Sequence, residues 1–326
     1  MSASGLERGV FILSLDFELI WGTLDLFGPQ GFARACEMER SVVVDRLLEL
    51  LVEFEIPATW CVLGHLFLDR CAPQNGRPHP EIVRPSHSWH PGDWFRHDGG
   101  GDEQSRPTFY GRSLVEQIRA CRVRQEIGCH SFSHAIFGDA GCSRETAESE
   151  VLACVRLARE MGLELRSFAF PRNRVGHLDV LARHGFSVFR GPGPAWYERD
   201  DSPGLAGRLA HLWDVLRAAA PPTVLPERVA EGLINVPGSM IYMPAHGVRR
   251  FIPIARRVER ARKGLAEAAS RRRVFHLWFH PTNLADATDA MFGGLRSIFE
   301  DVARRRAKGA MVAASMGETA ALYSRG

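Results

Sequence analysis

The sequence predicts a single α/β domain, a closed or nearly closed barrel in which parallel strands alternate with helices. Short apolar runs and segments of helical spacing alternate along most of the chain, which is typical of repeated β–α units. About seven or eight such units can be distinguished, enough for a (β/α)7-8 barrel. The 326 residues also suit one large barrel, and no linker or internal repeat divides them. We therefore predict one domain over residues 1–326.

The predicted strands are short apolar runs that turn residues or charged residues terminate. In chain order, they cover residues 10–15, 58–64, 126–131, 167–170, 186–190, 240–243, 274–280 and 310–313. The predicted helices carry apolar stripes at helical spacing, and Ser143 is a candidate cap for one of them. They cover residues 36–55, 112–124, a segment after Ser143, 175–184, 205–219, a basic segment within 249–273, and 286–305.

Residues 72–111 interrupt this alternation and are predicted to form a long insertion. The segment contains six prolines and three consecutive glycines without any periodicity, while its aromatic residues argue against disorder. Because it follows the second strand, we expect it at the barrel rim, either as a lid or as a surface insertion packed on its own aromatics. Trp89 and Trp94 in the insertion, and Trp196 further along, are candidate substrate contacts, although core packing explains an aromatic residue equally well.

Composition and charge are those of an ordinary globular protein. With 45% hydrophobic and 24% charged residues the chain is not disordered, and its net charge of +3 predicts no nucleic-acid partner. The first apolar run passes directly into Asp16, so we interpret it as a strand rather than a signal peptide, and no run approaches the roughly 18 apolar residues of a membrane span. The seven cysteines include no Cys-x-x-Cys pair and are expected to be reduced core residues. Together these observations predict a cytoplasmic protein.

Ionisable side chains follow three of the predicted strands, at the ends where such barrels place their chemistry. Asp16 and Glu18 come after the first strand and, two residues apart, point to the same side. Two neighbouring carboxylates repel each other unless a cation or a shared proton separates their roles. The pair therefore suggests that one carboxylate binds a metal while the other accepts a proton.

A pair of histidines stands at the end of the strand predicted over residues 126–131, in the segment His130-Ser-Phe-Ser-His134. Two histidines four residues apart can bind one metal ion if the backbone between them turns helically. Neutral imidazole suits zinc, cobalt or nickel. Beside the carboxylates of the first strand, these histidines predict a divalent metal site, with zinc as the first choice.

A second pair of histidines lies in the strand predicted over residues 274–280. His276 and His280 share one face of that strand. His280 is at the strand end where catalysis is expected, and imidazole can transfer a proton near neutral pH. We therefore expect His280 to act as an acid or base and His276 to be structural.

Taken together, these motifs resemble the polysaccharide deacetylase family, carbohydrate esterase family 4, which folds as a distorted (β/α) barrel. The resemblance covers residues 10–285 and rests on SLDFE, ATWCVLG, HSFSH, FAFPRN and the late strand that ends in His280. It implies that His130 and His134 bind a divalent metal, usually zinc. It also implies that Asp16 is the general base and Glu18 the third ligand, in an Asp-x-Glu variant of the motif, although the two carboxylates could exchange roles. His280 would protonate the leaving amine.

The chain departs from the family pattern in the arginine that usually orients the base. Ala169 occupies that position, so Arg172 or Arg174 is expected to approach from another direction, and Arg172 is also a candidate substrate contact. The motif that supports the late histidine has no clear match, and Asp214 is the one candidate.

The resemblance implies a metal-dependent hydrolase of a non-peptide carbon–nitrogen bond, specifically an N-deacetylase that releases acetate. The predicted location favours a small or carrier-linked N-acetylated substrate, such as an amino sugar or a biosynthetic intermediate. A hydrolase of a cyclic ureide or amide on the same fold is the alternative. The other alternative is a non-catalytic barrel that binds a metal or a glycan.

Overall fold

A computed structural model of the chain describes residues 6–194, 207, 213–215, 217–230 and 232–324. Within these residues ten strands form one sheet, and Arg70–Cys71 (β3) and Gly101–Asp102 (β4) form a separate antiparallel pair. In chain order, the strands of the large sheet are β1 (Gly9–Phe17), β2 (Ala58–Val62), β5 (Glu126–Cys129), β6 (Ser167–Ala169), β7 (Val188–Arg190), β8 (Glu227–Ala230), β9 (Leu233–Asn235), β10 (Met240–Ile241), β11 (Val274–Phe279) and β12 (Met311–Ala313).

The large sheet is a curled, largely parallel sheet, as the alternation of strands and helices predicts. Its order is β10-β11-β1-β2-β5-β6-β7-β9-β8, with β12 also paired to β1, and β8 alone runs antiparallel to its neighbour among the described strands. The segment after β9 bridges the space between β7 and β11. Within it, the Gly238 N–H donates to the Gly191 carbonyl and the Ser239 N–H donates to the carbonyl of His276. The predicted distorted α/β barrel is thereby confirmed.

The central strand β1 is buried along its whole length and has two faces of different character. Phe11, Leu13, Leu15 and Phe17 pack in the large cluster that lies between the sheet and the helices. The alternate residues face the barrel interior, which is apolar at Val10 and Ile12 and then polar at Ser14 and Asp16. Side chains alternate between the two faces of β1, and this alternation places Asp16 inside the barrel at its carboxyl end.

The helices cover the outside of the sheet and follow the strands in turn. In chain order they are α1 (Trp21–Gly31), α2 (Ala33–Met38), a π-helical turn (Glu39–Val43), α3 (Val44–Glu53), α4 (Arg112–Arg119), α5 (Arg144–Glu160), α6 (Leu178–Arg183), α7 (Ile254–Arg271), α8 (Thr288–Ala307) and α9 (Met316–Ser324). Ser143 caps α5 as expected, because its Oγ accepts the Thr146 N–H. None of the described helices has the length and apolar character needed to cross a bilayer.

Two helical predictions differ from the structure, and a third cannot be compared with it. The helix expected over residues 36–55 is divided by the π-helical turn, and α1 precedes it without having been predicted. The prediction missed α1 because Gly28 and Pro29 lie inside that segment and obscure its helical pattern. The helix expected over residues 205–219 lies largely outside the described residues.

The insertion at residues 72–111 packs on the rim through its own aromatic and charged side chains. Trp94 and Phe95 are buried, and the pairing of β3 with β4 closes the segment on itself. Trp21 in α1 donates its indole N–H to the Phe109 carbonyl at the end of the insertion. The insertion is therefore anchored to the barrel directly beside the end of β1.

Candidate active site

The carboxyl ends of β1, β5 and β11 bring together the five residues Asp16, Glu18, His130, His134 and His280. Glu18 lies between the two histidines of the HSFSH segment. Its Oε2 is 3.0 Å from His130 Nε2 and 3.4 Å from His134 Nε2, and all three side chains are buried. Three ligand atoms of this kind, within 4.8 Å of one another, can hold one metal ion.

The spacing of these three donor atoms is close to that of the ligands of one metal ion. Bonds of about 2.0–2.1 Å to a tetrahedral zinc place neighbouring ligand atoms about 3.3 Å apart, close to the distances that Glu18 makes. The buried Glu18 Oε2 has no hydrogen-bond partner among the described residues, although it faces two imidazole nitrogens. A carboxylate oxygen and two neutral imidazole nitrogens each offer a lone pair, so the three atoms can bind one cation. The residues present therefore fit a divalent metal.

The backbone of the HSFSH segment differs from the helical turn that the spacing suggested. Ser131 and His134 both adopt the left-handed region, with φ of 59° and 65°, which is uncommon for residues other than glycine. The Glu150 carboxylate on α5 accepts the N–H groups of Phe132 and Ser133, each at 2.8 Å. The expectation of a helical turn was wrong, because this buried carboxylate supplies the amide partners that a helix would have provided.

The orientation of the ligands is set by neighbouring backbone. His130 Nδ1–H donates to the Ala169 carbonyl at 2.8 Å, which directs Nε2 toward Glu18. On the other side, α1 approaches Glu18 so closely that a Cβ atom at Gly22 would lie 1.7 Å from Glu18 Oε1. A glycine at this position is therefore required by the carboxylate and not by the helix itself.

The second carboxylate, Asp16, is held by an arginine that sequence reasoning missed. Arg190, at the end of β7, donates to both oxygens of Asp16, at 2.8 Å from Nη1 and 2.6 Å from Nη2. Both side chains are buried. Burial alone would raise the pKa of Asp16, but the guanidinium charge outweighs it and holds that pKa well below its usual range. Asp16 is therefore a carboxylate at neutral pH.

The expectation that Arg172 or Arg174 would approach Asp16 was wrong. Arg172 pairs with Asp25 on α1, and Arg174 pairs with Asp139 at 3.0 Å. Arg190 holds Asp16 instead. It lies two positions after Val188 on β7 and therefore shares the inward face of that strand. A charged residue at the end of an apolar strand is the pattern that indicates Asp16, and the same pattern indicates Arg190.

A buried polar node lies beneath the Asp16–Arg190 pair. Ser14 Oγ accepts from Arg190 Nη1 at 3.0 Å and lies 2.8 Å from His276 Nε2. His276 is fully buried, and burial together with the nearby Arg190 charge lowers its pKa to about 3. A neutral His276 that connects β11 to β1 agrees with the structural role expected for it.

His280 stands across the site from the histidine pair. Its Nε2 is 3.5 Å from Glu18 Oε1 and 3.8 Å from Asp16 Oδ2. Unlike the other four residues, it is partly accessible, with 29% of its side chain exposed. It can therefore meet a molecule that enters the site from solvent.

The candidate substrate contacts lie in different surroundings. Trp94 is buried and donates its indole N–H to Ser133 in the HSFSH segment, so it supports that loop. Trp89 is 38% exposed, and the Arg172 guanidinium lies over its ring. Trp89 and Arg172 form an accessible edge of the barrel rim. Trp196 lies outside the described residues, and Asp214, although described, pairs with Arg217 in its own helical segment.

One further buried carboxyl near the site carried no sequence signal. Glu39 begins the π-helical turn and is 1% exposed, yet neither of its carboxyl oxygens has a hydrogen-bond partner among the described residues. Burial, and to a smaller extent the negative charge of Glu18, raises the pKa of Glu39 well above its usual range. These surroundings therefore favour the protonated, uncharged form of the Glu39 carboxyl group. Turns of this kind often occur at functional sites.

Comparison with solved structures identifies the fold. One similar crystal structure is that of a protein from Mycobacterium smegmatis assigned as a polysaccharide deacetylase. The alignment covers 100% of this chain and 93% of that protein, with 17% identity and a TM-score of 0.65. Another is that of a protein from Pseudomonas aeruginosa PAO1, also assigned as a polysaccharide deacetylase. The alignment covers 98% of this chain and 92% of that protein, with 11% identity and a TM-score of 0.59. The PuuE allantoinase matches 97% and 90% of the two chains with 12% identity and a TM-score of 0.59.

These likenesses place the chain in one structural class, the deacetylase-type α/β barrel. The chain thus has the fold of the polysaccharide deacetylases, as the motifs on its strand ends indicated. No protein-family model and no curated protein matches the sequence. At 11–17% identity these structures define the fold, and the chemistry has to be argued from the site.

Proposed function

We propose that the protein is a metal-dependent hydrolase of a non-peptide carbon–nitrogen bond, and specifically an N-deacetylase of an amino sugar or a related N-acetylated compound. One observation carries the proposal. A buried Glu18, His130 and His134 triad lies beside an arginine-held carboxylate, Asp16, and faces an accessible imidazole, His280. The set contains two nitrogen ligands, one oxygen ligand, a base and an acid, which together suffice for amide hydrolysis.

In this proposal Glu18, His130 and His134 hold a divalent metal, with zinc favoured by the nitrogen and oxygen ligands. When bound, the metal acidifies water and polarises an amide carbonyl. Asp16 is the carboxylate left free of the triad, so we assign it as the base that takes the proton of the attacking water. Arg190 holds both of its oxygens, which fixes the direction from which the proton is accepted.

His280 completes the proposed chemistry on the opposite side. Its position within 3.5 Å of Glu18 and its partial exposure suit a group that donates a proton to the departing amine. The products are then acetate and a free amine. Trp89 and Arg172 on the rim are the accessible side chains that we assign to substrate contacts.

The test is acetate release from a panel of N-acetylated amino sugars by the zinc-loaded protein. We expect release by the wild type and a loss of at least about 100-fold in kcat for Asp16→Asn and for His280→Ala, the usual range for removal of a general acid or base. Leu322→Ala, on the exposed face of α9, is the control and should retain full activity. Zinc-loaded wild type that releases no acetate from any compound in the panel would contradict the proposal.

The second candidate is hydrolysis of a cyclic ureide or amide. This candidate is supported by the similarity to the PuuE allantoinase, which has the same TM-score as the Pseudomonas aeruginosa structure. The metal, Asp16 and His280 would have the same roles, and only the bond would differ. Ring opening of allantoin, measured beside acetate release with the same preparation, decides between the two. A preparation that binds zinc but performs neither reaction would favour a non-catalytic metal- or glycan-binding barrel.

A further inference from the structure

We propose that the insertion contains a second metal site, a four-ligand zinc site formed by His65, Cys71, His79 and Asp98. His65 belongs to the 3-10 turn that follows β2, and the other three residues belong to β3 and to the insertion beyond it. One ligand atom from each of the four lies within 4.8 Å of all the others. The site shares no residue with the Glu18, His130 and His134 triad, so it does not depend on the proposed function.

The distances between the ligand atoms are close to those that one zinc ion requires. Asp98 Oδ2 lies 2.9 Å from His79 Nε2, 3.4 Å from His65 Nε2 and 3.7 Å from Cys71 Sγ, and Sγ lies 3.8 Å from His65 Nε2. A zinc ion with bonds of about 2.0–2.1 Å to nitrogen and oxygen and about 2.3 Å to sulfur places its ligands about 3.3–3.6 Å apart. Small adjustments of these side chains bring all four into range.

Surrounding groups orient His65 and Asp98 toward the cluster. His65 Nδ1–H donates to the Phe109 carbonyl at 3.1 Å, which leaves the lone pair of Nε2 directed at the cluster. The Gly100 N–H donates to Asp98 Oδ1 at 3.1 Å, and Arg106 donates to the same oxygen at 3.3 Å. Asp98 Oδ2 is thereby left to face the cluster, and the Tyr110 hydroxyl lies 3.0 Å from Cys71 Sγ.

The backbone supports the same arrangement. The pairing of β3 with β4 places Cys71 opposite Gly101, and this brings the chain back so that Asp98 reaches Cys71. His79 adopts a left-handed conformation, with φ of 44°, which is costly for a residue other than glycine. Such a conformation persists where contacts of the side chain stabilise it. Here the contacts are those of the His79 imidazole with the cluster. The side chains of His65 and Asp98 are fully buried, and that of His79 is 5% exposed.

The chemistry of the four donors favours zinc in a structural role. One thiolate, two imidazoles and one carboxylate complete a tetrahedral shell, so no position remains for water or substrate. The site connects the turn after β2 to β3 and to two points of the insertion, so it would cross-link these segments. Phe132 packs against the rings of both His65 and His79, at 5.8 and 4.9 Å, and its N–H is bound by Glu150. The second metal would therefore also support the HSFSH segment from behind.

The experiment is a Co²⁺ titration of the full chain after removal of metal by a chelator. Because the first triad contains no sulfur, a thiolate-to-cobalt charge-transfer band in the near ultraviolet reports on Cys71 alone. We expect the wild type to bind two equivalents and to show the band. Cys71→Ser should bind one equivalent without the band, and Glu18→Gln should bind one equivalent and keep it. Cys121→Ser, at a half-buried cysteine outside the cluster, should behave as the wild type.

The proposal is overturned if the wild type shows no charge-transfer band at saturation, or if Cys71→Ser keeps both equivalents. A wild type that binds one equivalent with a spectrum free of sulfur ligation would mean that the cluster is a network of hydrogen bonds and ion pairs. The charge-transfer band and the number of bound equivalents of the wild type do not depend on the variant, so they remain decisive even if Cys71→Ser does not fold. They do not involve acetate release, so a failure of the deacetylase proposal gives a different result.

Discussion

The Asp16–Arg190 pair combines a chemical and a structural role in two buried side chains. The two charges compensate each other, and Arg190 also donates to Ser14 Oγ at 3.0 Å and to Asn173 Oδ1 at 3.2 Å. Removing one member of a buried ion pair leaves an uncompensated charge and costs more than the pair contributes as a whole. The stability of the barrel interior and the orientation of the proposed base therefore depend on the same contact.

We predict that Arg190→Met lowers the free energy of unfolding by about 3–5 kcal/mol, because it leaves the buried carboxylate of Asp16 unpaired. The double variant Asp16→Asn, Arg190→Met should be more stable than Arg190→Met alone, since the charge that needed a partner is gone. Urea denaturation measures both. A double variant no more stable than Arg190→Met would show that the loss comes from packing against Trp278 instead of from the charge.

Gly22 allows a prediction in which stability and metal binding change in opposite directions. Within a helix, Gly→Ala is stabilising by up to about 1 kcal/mol, and the φ of Gly22 is in the ordinary range. The added methyl group would displace the Glu18 carboxylate from the histidines. We expect Gly22→Ala to unfold at an equal or higher urea concentration while binding zinc at the triad at least about 10-fold more weakly, as measured by competition with a chromogenic chelator. Gly293→Ala on α8, where a Cβ atom meets no other atom, is the matched control.

At the scale of single elements, the strand ends were predictable and the turns between them were not. Asp16, Glu18, His130 and His280 were found because each ends an apolar run, a pattern that the period of the strand imposes. Arg190 follows the same rule but was overlooked among 41 basic residues. The left-handed backbone of the HSFSH segment could not be predicted, since it depends on the Glu150 carboxylate, which lies 18 residues after Phe132 and reaches the segment only through tertiary packing.

The π-helical turn is the element whose energetics differ most from an ordinary helix. The carboxyl group of Glu39 is buried without a hydrogen-bond partner in the part of the chain that the structure describes, which costs about 1–3 kcal/mol. Because its pKa is raised in the folded state, the folded chain keeps a proton that the unfolded chain releases above about pH 4.3. Folding stability is therefore lost as pH rises from this value through the raised pKa.

We accordingly predict that Glu39→Gln is more stable than the wild type and that the difference grows between pH 4 and pH 7. The amide cannot ionise, so it avoids the penalty that the wild type meets as pH rises. Urea midpoints measured across this range check the prediction, with the exposed neighbour Glu37→Gln as the control. A constant difference at all pH values would mean that Glu39 has an ordinary pKa in the folded chain.

At the scale of the whole molecule, the two ends of the chain meet on one strand. One edge of β1 pairs with β12 over Gly9–Phe11 and with β2 over Leu13–Phe17, so the last strand and the second strand share it. The start of α9 is bonded to the same region, because the Met316 N–H donates to Thr59 Oγ1 and the Gly317 N–H donates to Glu126. Neither half of the chain can complete the sheet alone.

This connection predicts that the chain unfolds as one cooperative unit, in agreement with the single domain expected from its sequence. If β1 is held by elements from both ends of the chain, loss of either end removes the partners of the central strand, and the sheet cannot persist in part. Urea unfolding of the metal-loaded protein, followed by tryptophan fluorescence and by far-ultraviolet circular dichroism, should give coincident transitions. Truncation after residue 309, which removes β12 and α9, should lower the midpoint for both signals equally. Two separated transitions in the full chain would show instead that residues before and after the insertion fold as independent units.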